Sequence, residues 1–166
     1  MIFVLSQLSY AQNQIEISTQ STANNNNDFL FFLQRSPETN KVGYALNYKE
    51  SGKLCENEPI KAFWISENNH QKLKPLTTKE ERQAYGLKTK SIGNNEFEIR
   101  LIAYNKIPLY LKKSEIGDNY RIYIQDEDKA LLLKRIFIKL NHGTFWFPKL
   151  QYIDLTTTTL NSETKL

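Results

Sequence analysis

Two cations occupy positions that a β-strand's alternation would turn inward. Residues two apart share one side of a strand. By that count Arg35 is in phase with Phe29, Phe31 and Leu33, and Lys149 with Phe145, Phe147 and Ile153. A charge facing a core without a partner costs several kcal/mol. Either the two cations pair with buried carboxylates such as Glu80, or they converge on an anionic ligand group inside the domain. In the competing arrangement Pro148 marks a bulge that resets the phase, and Arg35 snorkels outward from a strand end. With the rings of Tyr44, Trp64, Tyr85 and Tyr152, Arg35 and Lys149 make the candidate ligand-binding set. Cations suit an acid, and rings suit an apolar body.

Other reactive residue types offer less. His70 and His142 both lie in polar, turn-like surroundings, and a His142-Gly143 hairpin turn explains the second. Cys55 sits beside Glu56 and Glu58, an acidic neighbourhood that does not activate a thiol. No Gly-x-Ser-x-Gly elbow, phosphate loop or dinucleotide fingerprint is present. No Cys/His spacing suggests zinc. Asp126-Glu127-Asp128 lacks the Gly and distal Glu of a calcium loop and reads as a solvated hairpin tip. No catalytic residue, metal ligand or cofactor is therefore assigned, and binding is favoured over catalysis. Tyr104, Lys106, Tyr110, Lys112, Lys113, Arg121 and Tyr123 interleave bases with rings, as a nucleic-acid platform would. They are better explained as outward positions of amphipathic strands, and no nucleic-acid partner is expected. The Lys72, Lys74, Lys79, Arg82, Lys88, Lys90 group reads as a solvated face.

These residues need a scaffold, and the composition supplies one. The chain has 166 residues, 22 Lys and Arg against 18 Asp and Glu, 9 Phe, 9 Tyr and 2 Trp. At ~150 residues per domain this is one domain, and its rings argue for a packed core. One Cys cannot close an internal disulfide. No apolar run approaches the ~18 residues that a membrane helix needs, so no transmembrane segment is expected. Residues 1–34 hold Glu16 and Asp28 but no base, which leaves the remainder net +6. The opening Met1-Ile2-Phe3-Val4-Leu5 followed by Ser9-Tyr10-Ala11 reads as a clipped signal peptide over 1–11, with Gln12 first in the mature chain. The expected location is therefore exported, in the periplasm or at the cell surface. Residues 12–28, with four consecutive Asn, read as a disordered leader.

From position 29 the chain reads as strands separated by turn chemistry. They fall at 29–35, 41–48, 60–66, 96–104, 109–112, 119–124, 130–140 and 145–155, with a tail over 156–166. Thr77-x-x-Glu80 is a capping box, Pro75 lies just before it, and Gly86 can end the helix as a left-handed cap. This predicts a helix of about two turns over 78–85. The fold class is all-β, an antiparallel barrel or sandwich of about eight strands with one short helix, in a single domain over 29–155.

Three blocks carry a resemblance. The first is Arg35-Ser36 with Asn40, Tyr44, Asn47 and Trp64; the second is Pro75-Leu76-Thr77 with Glu80 and Ala84-Tyr85-Gly86. The third is Phe147-Pro148-Lys149 with Tyr152-Ile153. Together they resemble an exported bacterial family catalogued as domain of unknown function four-eight-three-three, over roughly residues 29–155. The resemblance implies no activity, cofactor or catalytic residue. It implies one domain with these boundaries.

Two functions stay open. The chain is expected to be an exported binding module for a small amphipathic or anionic ligand. The alternative is an envelope protein-protein interaction domain, without a small-molecule ligand, that uses a strand edge or aromatic patch.

Overall fold

The computed structural model describes residues 29–38, 40–65, 73–114, 119–126, 129–141 and 149–158. They form a curled, antiparallel-dominated sheet, a half-barrel, with one short helix. The strands are β1 (Phe29–Arg35), β2 (Lys41–Leu46), β3 (Ile60–Ile65), β4 (Leu73–Pro75), β5 (Leu87–Gly93), β6 (Glu96–Leu101), β7 (Leu109–Lys113), β8 (Tyr120–Asp126), β9 (Lys129–Asn141) and β10 (Lys149–Thr158). Their order is β4-β3-β2-β1-β9-β8-β7-β6-β5, with β10 on the far side of β9.

The all-β class holds, with ten strands in place of about eight. The additional two are β4 and β5. β5 carries Lys88 and Lys90, which face solvent on an edge strand, while Leu87 and Thr89 are half-buried on the other face. Its turn into β6 runs through Gly93, Asn94 and Asn95 at φ of 96°, 51° and 57°. Gly and Asn are the residues that tolerate this left-handed backbone.

One pairing departs from the expected antiparallel rule: β1 runs parallel to β9, with Arg35 opposite Ile138. β9 can serve three neighbours because it is long and bulged. Leu131 and Leu132 pair with β8, while Arg135 to Ile138 pair with β1 on the same edge, and β10 follows the opposite edge from Leu132 to Asn141. The β9/β10 register skips Lys134, so Leu132 and Leu133 are both buried while Lys134 and Arg135 are both exposed. The sheet forks at this bulge, and the fork curls its two arms toward each other.

The curl encloses the core. Phe31, Leu33, Val42, Tyr44, Ile99 and Leu111 are all within 1% of full burial. β6 shows the logic most simply: Phe97, Ile99 and Leu101 are buried, and the intervening Glu98 and Arg100 pair at 2.6 Å on the outer face.

The helix starts at its predicted cap. α1 (Thr78–Glu80) continues as a wider π-helical turn over Glu81–Tyr85. Gly86 does not end it as a left-handed cap. Its backbone is extended, φ −73° and ψ 167°. A glycine is required there for closeness, because a Cβ would lie 2.1 Å from the Glu81 carbonyl oxygen.

Candidate functional site

The helical segment connects β4 to β5, so it crosses from one end of the strand order to the other. The Thr77 hydroxyl accepts the Glu80 N–H at 3.3 Å, and Glu80 Oε2 accepts the Thr77 N–H at 2.7 Å. The other Glu80 oxygen accepts the Trp64 indole N–H at 3.2 Å. The Thr77 amide, more than any other group, holds the Glu80 carboxyl below the usual range. Glu80 thus joins helix to barrel.

Tyr85 makes the second attachment. Its carbonyl accepts the Tyr44 hydroxyl at 2.7 Å, and its own hydroxyl donates to Glu38 at 2.6 Å. Its ring meets Trp64 edge-on at 4.9 Å, and the Arg35 guanidinium lies 5.4 Å from the ring centre. Tyr44 in turn stacks on Phe31 at 4.4 Å. Burial pushes both phenols well up from their ordinary value, the Glu38 carboxylate pushes Tyr85 further, and Arg35 opposes that. Neither phenol ionises near neutral pH. They are positioned hydrogen-bond donors.

Four of the six residues expected in a site are therefore brought together: Arg35, Tyr44, Trp64 and Tyr85. They cap the core more than they open it. Arg35 is the last residue of β1, the strand end of the second reading, and lies half-buried over the Tyr85 ring with no ion pair among the described residues. Glu80 is engaged elsewhere.

Lys149 and Tyr152 are not part of this group. The register slips one residue between Leu150 and Tyr152, so Lys149 pairs with Asn141 and is out of phase with Ile153. The bulge falls at Gln151, and Pro148, Phe145 and Phe147 lie outside the described residues. Tyr152 is half-exposed and tilts against Phe137 at 6.5 Å. Phe137 pairs with Gln34, one residue out of step with Arg35, so Tyr152 lies on the opposite face of the sheet.

The sequence reading missed the cavity beside Tyr85. A cleft of about 320 Å³ opens where β3 and β5 face each other across the gap in the half-barrel. Its apolar lining is Ile60 and Ala62 from β3, Leu87 from β5, and Ile102. Its rim carries Asn57, Glu58, Glu81 and Arg82. Buried Asn47 fixes one side of this rim: its amide donates to the Glu58 carbonyl at 2.8 Å, and its backbone N–H donates to the Pro59 carbonyl at 2.9 Å. On the other side, Gly86 lets the chain double back tightly from Glu81 into β5.

The blocks that flank the cleft, around Trp64 and around Ala84-Tyr85-Gly86, are also those that carry the family resemblance. The family described as Domain of unknown function (DUF4833) matches residues 31–166. The chain belongs to this family. No curated protein and no solved structure matches it. The DUF4833 match runs from β1 to beyond β10 and so contains both walls of the cleft.

Proposed function

We propose that this DUF4833 chain is a binding module for a compact amphipathic ligand held in the cleft between β3 and β5. The supporting observation is the cleft itself, whose apolar lining and charged rim match a ligand with an apolar body and a polar end. Its volume of about 320 Å³ is at the small end for ligand pockets, so the ligand is small. Binding is preferred to catalysis because two of the groups that could transfer protons near the cleft are engaged. Glu80 serves the helix and Trp64, and the Tyr85 hydroxyl is held by Glu38.

The proposal includes export. Its support is the apolar opening and the Ser9-Tyr10-Ala11 pattern, which lie outside the described residues. Material exported from a longer reading frame should begin at Gln12 on N-terminal sequencing, and retention of Met1 would contradict this.

Native mass spectrometry tests the binding claim. Protein purified from its own cells should carry a small added mass that denaturation releases. Ala62→Trp, which fills the cleft, should lose that mass while remaining folded. An added mass that survives this substitution places the ligand elsewhere.

A further inference from the structure

The cleft walls are more than apolar surface, because both present unpaired backbone. In an antiparallel ladder, residues alternate between exchanging both hydrogen bonds with the neighbouring strand and pointing those groups away from it. On β3 the phase is fixed by the Asn47 N–H donating to the Pro59 carbonyl at 2.9 Å. Asn47 and Pro59 are thus a hydrogen-bonded pair, and so by alternation are Ala45 and Lys61. Ile60 and Ala62 then turn their N–H and C=O groups away from β2, toward the gap. β4 pairs with β3 from Phe63 to Ile65, so Ile60 lies clear of it and the Ala62 N–H lies just past its last paired residue.

The opposite wall has the same character. Ile102 N–H donates to the Gly86 carbonyl at 2.9 Å, which makes Lys88 and Arg100 the next hydrogen-bonded pair. Leu87 and Thr89 therefore aim their backbone groups away from β6, and β5 is the last strand in the sheet order. Among the described residues no strand pairs with β5 on this side, and on the gap side of β3 none pairs beyond its contact with β4. Ile60, Ala62, Leu87 and Thr89 are also the strand residues that line the cleft.

Deepening the proposed function, and resting on it, we infer that the ligand is a short extended peptide of net positive charge that adds a strand between β3 and β5. Following the strand senses through the sheet, β3 and β5 run in the same direction, so one chain can lie antiparallel to both. A strand forms about 4.8 Å from each neighbour and hydrogen-bonds alternately left and right. Such a peptide satisfies both walls at once and closes the half-barrel, an arrangement of strand addition that gives affinity through main-chain bonds. Ala62 and Thr89 are small enough to leave room for its inward side chains. The length is limited, because the cleft of about 320 Å³ fits roughly three residues, ~10 Å of extended chain. The charge follows from the rim. Glu58 and Glu81 outnumber Arg82, and none of the three is ion-paired among the described residues.

The test is a titration of ¹⁵N-labelled protein with acetyl-Val-Lys-Val-amide, its variant methylated on the central backbone nitrogen, acetyl-Val-Glu-Val-amide, and phenethylamine as a non-peptide amphipathic cation. The first peptide should shift the amide signals of Ile60, Ala62, Leu87 and Thr89. Methylation should weaken it at least tenfold, and the Glu peptide should bind at least tenfold more weakly. Thr89→Pro removes one gap-facing N–H without breaking a bond to β6, and should weaken the first peptide by a similar factor. If the methylated peptide binds equally well at these residues, strand addition is wrong and the cleft reading survives. If phenethylamine alone shifts the cleft signals, the ligand is not a peptide. If no probe shifts them, both this inference and the cleft reading fail.

Discussion

Gly86→Ala isolates the closeness that the helix and cleft depend on. The Gly86 backbone, at φ −73° and ψ 167°, suits alanine, so no dihedral strain enters. All of the cost is steric. The added Cβ would lie 2.1 Å from the Glu81 oxygen and 2.8 Å from its carbon, both backbone atoms of a closed turn. Relief requires the turn to open, which gives up the 2.9 Å Gly86 to Glu81 bond and draws the Tyr85 carbonyl from the Tyr44 hydroxyl. One lost bond at about 1 kcal/mol and one buried unsatisfied group at about 2 kcal/mol together cost about 3 kcal/mol. For a domain of this size that lowers Tm by roughly 10 °C. Gly43→Ala is the control. There the Cβ meets the Phe29 ring at 2.6 Å and the Ile65 terminal methyl at 2.7 Å, which are side-chain atoms able to move. It should cost only about 1 kcal/mol. Urea midpoints at constant slope measure both. If Gly86→Ala proves no more destabilising than Gly43→Ala, the account of the turn is wrong.

Other expectations follow from the same contacts. Tyr44→Phe leaves the Tyr85 carbonyl without its donor and should cost about 1–3 kcal/mol in the urea midpoint, with the fold retained. Thr77→Ala removes the helix cap and should cost about 1 kcal/mol by the same measurement. The Glu80 carboxyl is held below its ordinary range, so its contribution is present above the unfolded-state pKa of about 4.3 and fades as pH falls through the lower folded value. The stability difference between wild type and Glu80→Gln should therefore shrink in acid, and a difference that grows below pH of about 4 would contradict this.

The structure's local features were the legible ones. The Thr77/Glu80 capping box is written within four residues and forms as read. β6 announces itself by strict alternation. β5 did not, because on a sheet edge its lysines look like any solvated run. The phase of Lys149 was lost to a single extra residue at Gln151, which counting by two cannot detect. Arg35, Tyr44, Trp64 and Tyr85 could be named as candidates, but their meeting depends on a helix that crosses between distant strands. The cleft was invisible for the same reason. Ile60 with Ala62 and Leu87 with Thr89 are ordinary strand residues until the curl of the sheet sets the two strands face to face.

Residue-resolved amide hydrogen exchange on the free protein tests the open gap most directly. Ile60, Ala62, Leu87 and Thr89 should exchange fast, and Lys61 and Lys88, whose N–H groups point into the sheet, should exchange slowly. Saturating ligand should slow the first group and leave the second unchanged. Uniform protection of both groups in the free protein would mean that the gap is already closed, and would remove the site.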